Sequence, residues 1–93
     1  MKNNKKDVLP LGSVVLLKEA TRYIVIVGYS MRENGENKIW DYLGCAYPMG
    51  VISNDSGLLF DSEQIEKVVF NGFTDEEGDA FRKQINVSIG DEE

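Results

Sequence analysis

The sequence predicts an α+β fold, mainly β: a small antiparallel, strongly bent sheet or SH3-like half-barrel with one C-terminal helix. Three observations carry this. Short runs rich in β-branched and aromatic residues, such as "YIVIVGYSM" and "KIWDYLGCAY", recur between turn formers. Gly28 stands inside the most apolar of these runs, where small barrels place a bend or bulge. Near Thr74 the apolar spacing changes from that of strands to that of a helix.

The elements follow in order. "MKNNKKD" is polar after Met1, and residues 1–8 are expected to form a disordered arm ahead of a single domain over 9–86. A turn at Pro10-Leu11-Gly12 feeds a strand from Ser13 to Lys18. The next strand runs from Tyr23 to Met31, and its continuous apolar character predicts either a central strand buried on both sides or a strongly bent barrel strand. Asn34-Gly35 is the strongest short hairpin signal available. It leads into a strand from Lys38 to Tyr47 in which neither alternating face is purely apolar. Tyr47-Pro48-Met49-Gly50 must break that strand, because Pro48 has no N–H to give and Gly50 tolerates a positive φ.

"VISNDSG" reads as a loop or short edge strand, and "LLF" as the end of a strand. One helical turn capped by Asp61 or Ser62 then precedes a strand from Glu66 to Phe70. Thr74 followed by Glu77 forms a capping box, so a helix is expected from Asp75 to about Ile85 with Phe81 and Ile85 turned inward. Residues 87–93 are expected to be a frayed acidic tail.

The chain has 93 residues, the size of one small domain, with 42% hydrophobic and 28% charged residues. No run approaches the length needed to cross a membrane, and the apolar stretch after the N-terminal lysines is broken by Pro10, Gly12 and Ser13 before a signal peptide could form. A cytoplasmic location is expected. Cys45 is the single cysteine and histidine is absent, so neither an internal disulfide nor a Cys/His nucleophile pair can form. The acids around Asp61–Glu66 and Asp75–Asp79 sit where helix starts favour carboxylates, and no calcium-loop spacing accompanies them. No catalytic residue, cofactor or metal is expected, and the protein reads as a non-enzyme.

Charge is uneven. Up to Phe60 seven lysines and arginines stand against six acids, whereas from Asp61 onward three stand against ten. The second part, at net −7, repels a phosphate backbone, which disfavours nucleic acid and favours a partner with a basic surface. Trp40, Tyr42, Tyr47, Met49 and Phe73 are the residue types that lead interface cores, and they are the candidate protein-binding residues. In the Tyr47–Gly50 loop, Pro48 and Gly50 are read as structural and Tyr47 as a contact.

"LPLGSVV", "DY", "YP" with Gly50, and Phe60, Ile65, Val68 and Phe70 ahead of Gly72-Phe73 together resemble one family across Leu9 to about Phe81. It is a domain-of-unknown-function family of small cytoplasmic proteins of Gram-positive bacteria, encoded near type VII secretion loci that export LXG toxins. The resemblance implies an accessory factor, a chaperone or targeting adaptor that binds such a toxin or its helical secretion partner. It supplies no catalytic residue. An immunity protein for such a toxin, or a small nucleic-acid-binding barrel, are the alternatives.

Overall fold

A computed structural model describes residues 7–32, 35 and 37–91. The architecture is α+β, mainly β, with β1 (Val14–Leu17), β2 (Tyr23–Arg32), β3 (Ile39–Ala46), β4 (Leu58–Phe60), a 3-10 turn (Ser62–Gln64), β5 (Ile65–Phe70) and α1 (Glu76–Asp91). The five strands form one antiparallel sheet in the order β4-β3-β2-β1-β5, not closed into a barrel.

Sheet order and connection length together fix the curvature. β4 and β5 lie on opposite edges, yet only Asp61 and the 3-10 turn join them. In a flat five-stranded sheet those edges would stand about 19 Å apart. A three-residue 3-10 turn with extended flanks spans only about 13 Å. The sheet must therefore roll until its edges approach, as its strong bending was expected to do. The bend in β2 falls where Gly28 predicted it: the β2–β3 register slips between Ile26 and Gly28. The hairpin turn expected at Asn34-Gly35 lies partly outside the described residues. Its flanks pair as an antiparallel hairpin out to Arg32 and Ile39.

The concave side of the roll carries the core: Val15 from β1, Ile24 and Ile26 from β2, Tyr42 from β3 and Phe60 from β4. Tyr42 and Phe60 stack at 5.3 Å between ring centroids. Gly44 permits this packing, because a Cβ there would stand 2.5 Å from Ile24 Cγ2 and 3.0 Å from Phe60 Cε1. β3 is buried on both faces, since Asp41 and Cys45 are also buried on the side opposite Tyr42. That is why its alternation pointed to neither face.

The chain differs from expectation at both ends. Val8, placed by its sequence context in a polar arm, is only 5% exposed and belongs to the core. Its N–H donates to Asn86 Oδ1 of α1 (3.0 Å), and the N–H of Leu9 donates to the hydroxyl of Tyr42 (3.0 Å). The Tyr29 hydroxyl donates in turn to the carbonyl of Leu9. These bonds satisfy a backbone that would otherwise lose water on burial. The rest of the expected arm, residues 1–6, lies outside the described residues. At the other end α1 continues to Asp91, through much of the stretch expected as a frayed tail. No proline interrupts "NVSIGD", and a helix already seated through Ile85 and Asn86 extends at little further cost. The N-cap is Asp75 rather than Thr74: its Oδ1 accepts the Gly78 N–H at 2.8 Å.

Candidate protein interface

The end of the sheet where β1 begins and β5 finishes is built on one close backbone crossing. Gly12, at φ +85°, turns the chain so that its N–H reaches the Ile26 carbonyl at 2.8 Å. Ser13, fully buried, accepts the N–H of Gly72 on its Oγ at 3.0 Å. Only glycine fits at position 72, because a Cβ would stand 2.1 Å from the Leu11 carbonyl oxygen. The crossing fixes Leu11 beside the segment that carries Phe73 and starts α1.

Leu11, Tyr29, Phe73 and Phe81 line an open groove of about 310 Å³ there, with Asp75, Gly78 and Arg82 on its rim. Phe73 is 81% exposed, and Leu11 and Phe81 are exposed as well. Phe81 meets Tyr29 at 6.2 Å between centroids, and Tyr29 meets Tyr42 at the same distance. A run of four rings thus leads from Phe60 in the core to the groove. Burial raises the Tyr29 phenol above its ordinary pKa, against the nearby Arg82 guanidinium that lowers it. Arg82 itself is ion-paired with Asp79 one helical turn away.

Tyr47 and Met49 lie at the opposite end of the sheet. Tyr47 N–H donates to the Tyr23 carbonyl (2.9 Å) and Gly50 N–H to the Ala46 carbonyl (2.8 Å), with a cis Tyr47–Pro48 bond and Gly50 at φ +70° shaping the turn. Exposed Val51 and Ile52 follow on the same connection, and exposed Leu58 opens β4. Arg22 Nη1 approaches Met49 Sδ at 3.9 Å.

The five expected contact residues are therefore not one surface. Tyr42 is a correction: at 1% exposure it is a core residue, held there by Phe60 and by the Leu9 backbone, and it presents almost no surface to a partner. Burial pushes its phenol pKa up to about 12. Trp40, half-buried, sits under Lys38 Nζ at 4.6 Å from its ring centroid. Tyr47 and Met49 occupy one end and Phe73 the other. Sequence reading missed Leu11, Tyr29 and Phe81 as partners of Phe73. Leu11 was legible only as a turn residue, and Phe81 as an inward-facing helix position.

A second groove of about 250 Å³ lies along β5, lined by Asp7, Leu9, Tyr42, Ser62 and Ile65–Val68. Beneath it a polar clasp ties β3 to the 3-10 turn. Asp41 Oδ2 accepts the Ser62 N–H (2.9 Å) and hydroxyl (2.7 Å), Asp61 Oδ1 accepts the Asp41 N–H (3.0 Å), and Lys38 Nζ donates to Asp61 Oδ2 (2.9 Å). Among the described residues no group of three His, Cys, Asp or Glu side chains could hold a metal ion, and no helix is long and apolar enough to cross a membrane. No curated protein and no solved structure matches the chain. A family described as a domain of unknown function (DUF4176) matches residues 8–81, from the first core residue, Val8, to Phe81 in the groove.

Proposed function

The chain belongs to the DUF4176 family, whose function is unknown, and we propose that it is a non-enzymatic protein-binding accessory factor: a cytoplasmic chaperone or targeting adaptor for an LXG toxin exported by type VII secretion. The observation that carries the binding role is the open groove of Leu11, Tyr29, Phe73 and Phe81, where aromatic area remains exposed on a small acidic domain. A bare Phe73 gains nothing for the fold, whereas large aromatic side chains at a groove are the usual anchors of a partner. The resemblance in the Leu-Pro-Leu-Gly-Ser and Tyr-Pro segments supports the choice of partner.

The test is a tagged pull-down from the source cells at moderate salt, with mass spectrometry of what co-purifies. Recovery of an LXG toxin or a small helical secretion partner supports the reading. Truncations of that toxin then specify the role, since a chaperone or adaptor holds the N-terminal export region and an immunity protein the C-terminal toxic region. Recovery of nucleic acid, or of the bait alone, overturns it.

A further inference from the structure

We infer that α1, together with the N-terminal strap Asp7–Leu9, is a displaceable lid over the core, and that an amphipathic helix of the protein partner takes its seat. The source of the incoming helix rests on the protein-binding reading above; the lid does not. From Glu76 to Asn86 no residue of α1 is buried. Its attachments are few and lie along one side. Phe81 meets Tyr29 at 6.2 Å between ring centroids, Ile85 packs against the core, and Asn86 Oδ1 accepts the Val8 N–H at 3.0 Å. A 16-residue helix with Gly78 inside it is marginal by itself, so α1 loses its own hydrogen bonds once it leaves this seat.

The strap is fastened in the same manner. Val8 is buried, yet Val8 and Leu9 belong to no strand. The Val8 N–H, the Leu9 N–H and the Leu9 carbonyl bond instead to the side chains of Asn86, Tyr42 and Tyr29. The Val8–Asn86 bond ties strap and helix to each other, so each loses support when the other lifts. Segments with few buried apolar contacts open at lower free energy than the whole fold. The sheet keeps its own ladders and the Tyr42–Phe60 stack when they do.

The groove is the seam of this lid. Leu11 and Tyr29 stand on its sheet side, and Phe73, Phe81 and Arg82 on the side that leads into and along α1. Lifting α1 widens the seam and uncovers Tyr29 and Val8. The chemistry of the occupant is read from the helix already seated there. It presents an aromatic and an aliphatic side chain four residues apart, Phe81 and Ile85, followed by an amide oxygen that accepts the Val8 N–H. A partner helix with that spacing makes the same contacts, in the helix-in-groove mode of recognition.

The experiment uses the full chain in two measurements. Native-state hydrogen exchange, read by NMR, should show the amides of Val8, Leu9 and Ala80–Asn86 exchanging about a hundredfold or more faster than those of β2 and β3, through one shared opening. The double variant Phe81→Ser/Ile85→Ser removes the apolar anchors of the lid. A synthetic peptide of Asp75–Asp91 should bind this variant saturably, with amide shifts at Val8, Leu9 and Tyr29. It should bind at least about tenfold more weakly to the wild type, whose tethered helix fills the seat at high effective concentration. A scrambled peptide of the same composition should not bind.

Protection of α1 equal to that of β2 and β3, loss of the sheet in the double variant, no binding of the α1 peptide, or equal binding of the scrambled one overturns the inference. The parent reading fails separately, because neither measurement involves a toxin. If no toxin is captured but the peptide seats in the opened variant, the lid stands without that partner. If a toxin is captured by a protein whose α1 is as protected as its sheet, the adaptor reading stands and the lid falls.

Discussion

The backbone of Gly72 crosses that of Leu11 so closely that a single added methyl would stand 2.1 Å from the Leu11 carbonyl oxygen. Gly72→Ala must push β1 and β5 apart at the end that supports the groove, and should destabilise the domain by about 2–3 kcal/mol, in the range for overpacking a tight site. Ser13→Ala removes the acceptor of the Gly72 N–H without a clash, and should cost about 1–2 kcal/mol for the donor left unpaired. Urea unfolding followed by the fluorescence of the single tryptophan, Trp40, measures both. Equal stability of Gly72→Ala and wild type would show that the crossing is not a constraint.

The Tyr42 hydroxyl holds the N-terminal segment over the core. Tyr42→Phe keeps the ring stacked on Phe60 but leaves the Leu9 N–H without its acceptor, a loss of about 1 kcal/mol. Hydrogen exchange at Val8 and Leu9 should quicken while amides of β2 and β3 stay protected.

The same phenol gives the fold an alkaline limit. Its folded pKa of about 12 lies above the ordinary 10.0, so the folded state keeps the proton that the unfolded state releases. Its contribution is whole below pH 10 and is lost as pH rises from 10 towards 12, about 3 kcal/mol in all. Tyr29, also raised, adds a change of the same sign. Urea midpoints should fall over that interval, and Tyr42→Phe should show a shallower fall.

The buried carboxylate of Asp41 is a brace for the turn that joins the two sheet edges. Asp41→Ala strands the Ser62 N–H and hydroxyl and should cost about 2–3 kcal/mol, as expected for losing charge-assisted bonds. Asp41→Asn retains one acceptor oxygen and should cost less. If Asp41→Ala unfolds at the same urea concentration as wild type, the bonds to Ser62 contribute nothing.

Phe73 separates binding from folding. Phe73→Ser should leave stability within about 0.5 kcal/mol, the usual effect at an exposed position. Phe60→Ala should cost about 3–5 kcal/mol, because Phe60 is fully buried. Thermal melts of both variants check the contrast. A Phe73→Ser protein as unstable as Phe60→Ala would mean that the ring serves the fold.

The strands were legible because each announces itself locally. "YIVIVGYSM" has the composition of a central strand, and Gly28 marked the slip in its pairing. What the residues did not disclose was long-range. Nothing near Ile65 says that β5 pairs with β1 rather than with β4, and nothing near Val8 says that Asn86 will accept its N–H. Tyr42 misled for a related reason: composition marks a tyrosine as an interface residue, and only the roll of the sheet decides that this one faces inward. Phe73 was legible as a candidate, but its groove was not, since its neighbours arrive from the first turn of the chain and from the last helix.

The strand order also has a consequence for the nascent chain. A ribosome delivers β1, β2 and β3 as a meander in which each strand can pair with the one before it. The outer edge of β1 has no such neighbour: Val14 must wait for Phe70, and Leu17 for Ile65. At ordinary rates of translation that wait lasts on the order of seconds, during which an apolar strand edge stands open beside the exit site. Products stalled after Phe60 would keep that edge permanently, and their solubility should fall well below that of the finished domain.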